Sequence, residues 1–275
     1  RGSLLWVLDK TKTPMGGRLL RSWMERPLLN VTAINRRLSA VDALARDTMG
    51  REELILALSG LGDMERLIGR IVYGSAGGRD MASLRSSLEK LPHLREKLEP
   101  FAAGRLGELA GALDLLEDVY GLLCQAIVEE PPFSVREGGF IQKGYDREVD
   151  QLHDILSGGK SVIAEVESRE KEKTGIKSLK VGYNKVFGYY IEVSKSYYDQ
   201  VPEEYIRKQT LANCERYITQ ELKDLEHTIL TASDRVVALE YELFVKLREQ
   251  VGEQMGRIQA TAAAVAEVDT LCSFA

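Results

Sequence analysis

Histidine and cysteine are scarce in this sequence, three of each, and their scarcity removes several classes of chemistry at once. Cys124, Cys214 and Cys272 are far apart and odd in number, so neither a disulfide framework nor a zinc-ligand spacing can be assembled from them. Such cysteine usage fits a reducing, cytoplasmic setting. His93, His153 and His227 neighbour no cysteine and form no HExxH pair. No apolar run approaches the roughly 20 residues of a membrane-spanning helix, and the N-terminus lacks a charged-then-apolar signal pattern. A nucleophile elbow and a dinucleotide glycine fingerprint are missing too, so nothing in the chain argues for catalysis. Excess basic charge is also lacking. The net charge is −5, so any contact with nucleic acid must come from a local patch.

What is present is enough for a real core. The 275 residues are 44% hydrophobic and 29% charged, ordinary for a folded protein and long enough for more than one structural unit. Helical periodicity dominates. Thr13-Pro14 reads as a cap with proline in the first turn, followed by an apolar face of Leu19, Leu20, Trp23 and Met24 that Pro27 ends. Thr32 is expected to cap the next helix, with Ile34, Leu38, Val41 and Ala45 on one side. Short helices follow around 51–59 and 63–73, and leucines recur at three- and four-residue steps over 80–99 and 105–129 until Pro131-Pro132. Residues 133–142, with Glu137-Gly138-Gly139 between β-formers, suggest a small hairpin.

The second half carries more information. Ile218, Leu222, Leu225, Ile229, Ala232, Val236, Leu239 and Leu243 alternate four- and three-residue steps, a heptad seam that wants one partner helix. Val149, Leu152, Leu156, Ile163 and Val166 repeat that spacing upstream, with a gap at Gly159. Between the two lies residues 178–194, alternating and rich in β-branched and aromatic side chains. The expected geometry is two long antiparallel helices, the second covering roughly 214–250, with a β-rich module at their far end. A final helix near 257–271 would return to the base.

Residues 176–213 hold six basic side chains (Lys177, Lys180, Lys185, Lys195, Arg207, Lys208) against four acidic ones (Glu192, Asp199, Glu203, Glu204), a local balance of +2. They also hold Tyr183, Phe187, Tyr189, Tyr190, Tyr197, Tyr198 and Tyr205. Basic groups with amide donors suit phosphate contacts, which position a protein without reading sequence. The same aromatics would also serve the core of a small β module. Asn184-Lys185 fits the turn between two strands. Gly158-Gly159-Lys160-Ser161 has part of a phosphate-loop pattern but has Asp154 where its first glycine belongs and interrupts a helical pattern, so a local helix break is expected there instead. The run Arg169-Glu170-Lys171-Glu172-Lys173 reads as a salt-bridged, solvated face.

Three stretches resemble a known family. Residues Leu8-Asp9-Lys10-Thr11-Lys12-Thr13-Pro14-Met15-Gly16-Gly17-Arg18-Leu19-Leu20, with Trp23 and Pro27-Leu28, are similar to the opening of the core domain of bacterial MutS mismatch repair proteins. Leu179-Lys180-Val181-Gly182-Tyr183-Asn184 through Gly188-Tyr189-Tyr190-Ile191 resembles the clamp of that family. Arg207-Lys208-Gln209-Thr210-Leu211, Asn213 and Glu215-Arg216-Tyr217-Ile218 resemble its return into the lever helix. The resemblance covers nearly the whole chain. Two positions depart from the pattern: Ala212 stands where lysine is frequent, and Gln220 where proline is common.

The resemblance implies a mainly α fold, a helical core with long antiparallel lever helices in a coiled-coil-like stalk and a small β-rich clamp. The expected segments are 1–160 (core and first lever helix), 161–216 (clamp) and 217–275 (second lever helix and return to the core). It implies a non-catalytic part of a dimeric, mismatch-recognising protein whose clamps touch the DNA backbone without sequence preference. Lys180, Asn184, Lys185, Arg207, Lys208 and Asn213 are the expected contacts, with Ala212 removing one candidate. ATP and Mg would bind a separate ATPase domain, no cofactor here, and neither a Phe-x-Glu mismatch motif nor an intact P-loop occurs in the sequence, so an excised fragment is expected. Expected partners are duplex DNA, the remaining domains, a second subunit in the whole protein and a MutL-type protein, in the cytoplasm at the nucleoid. The competing expectation is a protein-binding coiled-coil arm with a β docking tip.

Overall fold

The computed structural model describes residues 2–101 and 103–275, with the backbone alone at Lys160. The chain divides into two compact units, one of residues 1–145 and 241–275 and the other of residues 146–240.

The first unit is helical. In chain order its elements are α1 (Leu4–Leu8), α2 (Pro14–Glu25), α3 (Val31–Arg46), α4 (Thr48–Leu58), α5 (Met64–Tyr73), α6 (Gly78–Leu88), α7 (Leu91–Leu98), α8 (Gly104–Ala112) and α9 (Glu117–Ala126). Short polar side chains start several of them by satisfying free backbone N–H groups. Thr13 accepts from Gly16 with Pro14 next to it, Asp47 accepts from Gly50, and Asp63 from Arg66. The start of α3 is capped by Asn30, which accepts from Ala33, rather than by Thr32. Asn30 is the extended residue at that point, so the cap lies two residues before the expected one. Leu54, Leu58, Met64, Ile68, Ile71, Met81 and Leu84 are fully buried at helical spacing.

The unit is organised around its last helix, α12 (Met255–Phe274), which the sequence places only as a return to the base. It is buried on most sides and packs on α2, α5 and α8. Alanines over 260–266 let neighbouring backbones approach, and Val265, Val268 and Leu271 fill the core between them. Its two buried threonines are spent on backbone. Thr261 Oγ1 donates to the Asp114 carbonyl, and Thr270 Oγ1 to those of Ala266 and Gly16.

The second unit holds α10 (Arg147–Thr174), β1 (Lys180–Asn184), β2 (Gly188–Ser194), β3 (Ile206–Thr210), β4 (Cys214–Ile218) and most of α11 (Gln220–Glu253). The four strands form one antiparallel sheet in the order β1-β2-β4-β3. Side chains of α10 and α11 meet in opposing order: Arg169 with Glu221, Gly159 with Ile229, Glu148 with Arg235. The helices are therefore antiparallel. Of the heptad positions, Val149, Val166, Leu222, Ala232, Val236 and Leu239 are buried.

Four local expectations need correction. Residues 133–142 form no hairpin. A 3-10 turn, Val135–Glu137, and left-handed Gly138 and Gly139 close a loop on a single bridge between Ile127 and Ile141. Phe140 anchors that loop, fully buried with its ring against Phe244. The leucine-rich 105–129 is two helices, because Asp114 accepts the Leu116 N–H and turns the chain through a left-handed Leu116. Residues 214–218 pair as β4 instead of starting the second long helix, with Tyr217 and Ile218 buried in the sheet. Finally, α10 does not break at Gly158-Gly159. It is unbroken from Arg147 to Thr174, and the gap in its heptad is filled from the other helix. A Cβ at Gly159 would lie 2.9 Å from Cγ1 and Cδ1 of Ile229, so glycine admits that side chain. The expected segment boundary at 160/161 lies inside this helix.

Candidate nucleic-acid interface

The β module is held by a core of its own. Val166 of α10 and Leu222 of α11 meet Ile176, Leu179, Ile191, Val193, Tyr205 and Tyr217 under one face of the sheet. A fully buried leucine such as Leu222 contributes about 1.5–3 kcal/mol to that core. Two buried carboxylates are tied into it by phenols. Tyr205 Oη donates to Glu170, and Tyr217 Oη to Glu215. Burial first, then the bond to the carboxylate, pushes both phenols above their ordinary range, so they stay protonated donors. Most of the expected β-rich aromatics thus serve the core.

The other face of the sheet is open. Register sets Lys180 beside Glu192, Glu192 beside Arg216 and Arg216 beside Gln209 across the four strands. Arg216 donates to Glu192 and to Gln209 and lies 4.4 Å over the Tyr190 ring. Tyr190 itself lies across Gly182, where a Cβ would stand 2.7 Å from its hydroxyl. Gly182 and Tyr190 of the clamp-like motif are therefore one packing unit.

The six expected contact residues fall in three places. Asn184 and Lys185 lie at the β1–β2 turn, where Asn184 Oδ1 accepts the Val186 N–H at 2.8 Å. The amide oxygen is thereby used by the turn, and only its NH2 group is left to donate outward. Arg207 donates to Glu215 at 3.1 Å, so part of its charge is spent holding that buried carboxylate. Lys180 and Asn213 lie at the opposite end of the sheet from Asn184, exposed, at the start of β1 and in the β3–β4 turn. Lys208 leads toward that turn. It is the extra residue of a bulge between Arg207 and Gln209, an irregularity that re-aims a side chain. The structure therefore does not gather the six into one patch. Sequence reading passed over Lys195 as a contact, yet its N–H donates to the Asn213 carbonyl at 3.0 Å. Only strand register could have revealed that neighbour.

No group of three or more histidine, cysteine, aspartate or glutamate side chains is placed to hold a metal among the described residues. Residues 158–161 lie inside α10, where backbone N–H groups are committed to the helix and cannot cradle a phosphate, so this chain's residues do not fit a nucleotide there. Among the described residues no helix is long and apolar enough to cross a membrane.

Over residues 1–275 the sequence matches the family described as MutS domain III. The chain belongs to that family. It is 51% identical over its whole length to the DNA mismatch repair protein MutS of Acetivibrio thermocellus, covering 32% of that protein. It is 53% identical to the protein of the same name from Symbiobacterium thermophilum, covering 31% of it. With that of Geobacillus thermodenitrificans it shares 51% over 276 aligned positions, covering 30%. This MutS domain III chain thus spans about a third of the length of the curated relatives it matches, and is one part of a mismatch repair protein.

Proposed function

We propose that this chain is the non-catalytic clamp and lever of a MutS mismatch repair protein. The sheet module grips the backbone of duplex DNA without reading sequence, and α10 and α11 carry the state of that grip along their length. The observation that supports this most is the pairing of a small module with two long helices. Lys180, Lys185, Lys195 and Lys208 project from the module, and none has an ion-pair partner among the described residues. At about 1.5 Å per residue, helices of 28 and 34 residues reach about 42 Å and 51 Å. Ammonium and amide donors on strand ends and turns are the groups that position a protein on phosphates.

In this reading mismatch recognition and ATP hydrolysis, with its Mg, belong to other domains of the whole protein. Its partners are duplex DNA, those domains, a second subunit and a MutL-type protein, in the bacterial cytoplasm at the nucleoid. The test is binding of the chain to matched and mismatched duplexes over a range of salt. Weak binding that falls with a clear slope of log affinity against log salt, equally for both duplexes, is expected from counterion release. Salt-independent binding, or a mismatch preference, would refute the clamp reading, and binding only to a protein partner would favour a docking arm.

A further inference from the structure

The register of the sheet separates its two ends. One end holds the β1–β2 turn, where Asn184 faces Gly188. The other collects the start of β1 (Lys180 beside Glu192), the end of β2 (Ser194 beside Cys214) and the turn from β3 to β4. That second end is tied together by direct contacts. Leu211 N–H donates to the Cys214 carbonyl at 2.8 Å and closes the turn. Lys195 N–H donates to the Asn213 carbonyl, and the Ser178 and Ser194 hydroxyls lie 3.5 Å apart.

Charge separates the ends in the same way. At the turn between β1 and β2, Lys185 is the one ammonium group, and the Glu226 carboxylate of α11 packs directly against Gly188. The geometry requires glycine there, with φ +80° and no room for a Cβ beside that carboxylate. Contacts with α10 and α11 also place this turn back along the helices. Val181 N–H donates to Glu167 of α10, and the strand runs from there toward Glu226. At the other end stand Lys177, Lys180 and Lys195, with Lys208 three residues before Leu211 of the turn, all exposed. The nearby carboxylates are largely spoken for. Glu192 is paired with Arg216, Glu215 with Arg207, and Glu167, which Lys180 faces, with Lys171. Asp199, one turn along from Lys195, is exposed and has no ion pair among the described residues, and the same holds for Glu172 and Glu203.

We propose that the duplex is gripped by this second end alone, that Lys195 is a phosphate contact alongside Lys180, Lys208 and Asn213, and that Lys185 is not. The inference rests on the clamp reading above and selects the surface that performs it. Four strands at about 4.8 Å spacing make an edge about 14 Å wide. That width is close to the roughly 12 Å of a major groove, so amines along it reach phosphates on both sides of one groove.

The experiment measures the salt dependence of duplex binding by the whole chain, unsubstituted and as Lys195→Ala, Lys180→Ala with Lys195→Ala, Lys185→Ala and Lys195→Arg. Loss of Lys195 should flatten the slope by about 0.9 and the double change by about 1.8. Lys185→Ala should leave it unchanged, and Lys195→Arg should retain it. Circular dichroism should be the same in all five, since these side chains are exposed. A normal slope for Lys195→Ala, or flattening by Lys185→Ala equal to that of Lys195→Ala, overturns the choice of end while the clamp reading stands. Absent or salt-independent binding by the unsubstituted chain overturns both.

Discussion

Gly16→Ala sets helix propensity against a tertiary contact, and the structure says which wins. Gly16 lies in the first turn of α2, where replacing glycine by alanine ordinarily gains up to about 1 kcal/mol. At this position the new Cβ would stand 2.7 Å from Cγ of Asp269 and nearer still to Oδ2. Asp269 is buried on α12 and accepts from Lys12 N–H, Thr13 N–H and Thr13 Oγ1, the last two at 2.7 Å. Restoring ordinary contact at 3.4 Å moves Cγ by at least 0.7 Å, which stretches or breaks those bonds. Hydrogen bonds to a charged group contribute about 1.5–3 kcal/mol each, so losing two costs about 3–6 kcal/mol. After the propensity gain, a net loss of about 2–5 kcal/mol is expected. Urea denaturation followed by circular dichroism reads it directly. In an Asp269→Gly background Oδ2, Cγ and Cβ of residue 269, the three atoms nearest the new Cβ, are all gone, and the same glycine change should become neutral or stabilising. Stabilisation by Gly16→Ala in both backgrounds would refute the packing argument.

Gly159→Leu should destabilise the α10–α11 pair by about 1–3 kcal/mol through overpacking on Ile229, and adding Ile229→Ala should recover most of the loss; no recovery in denaturation midpoints would mean that the glycine has another role. Arg257 donates to Asp114 and Asp118, and those bonds hold both carboxyls below their ordinary 3.8. A depressed carboxyl stabilises the fold above the unfolded-state value and loses that contribution as pH falls through the folded-state value. The unsubstituted chain should therefore lead Arg257→Met in urea midpoint at about pH 7, and the lead should close toward about pH 2. A gap that stays constant would remove these carboxyls as its source.

Several features were legible from spacing and residue type. The caps at Thr13 and the heptads on either side of the insert depend on neighbours within a turn or two, and such neighbours are written in the sequence. The β-rich nature of 178–194 was readable for the same reason. Residues 206–218 were not read as strands, because β3 lies at the sheet's edge with an exposed Ile206 followed by four polar side chains, and its pairing with β4 is interrupted by a bulge. The role of the motif at residues 8–20 was equally hidden. Its conformation is held by Asp269 and Ser273, more than 250 residues along the chain.

By itself, then, the sequence determined the family, the helical character, the two long heptads and the basic and aromatic makeup of the insert. Each is a local property, set by side-chain type and a period of two, three or four residues. Tertiary structure alone decided that Gly159 receives Ile229, that α12 is the axis of its unit, and that the expected contacts split between two ends of one sheet. It also brought Lys195 beside Asn213. These facts depend on strand register and on close approach between distant segments, and a one-residue change of register would move every side chain to the other face without altering the local pattern that the sequence displays.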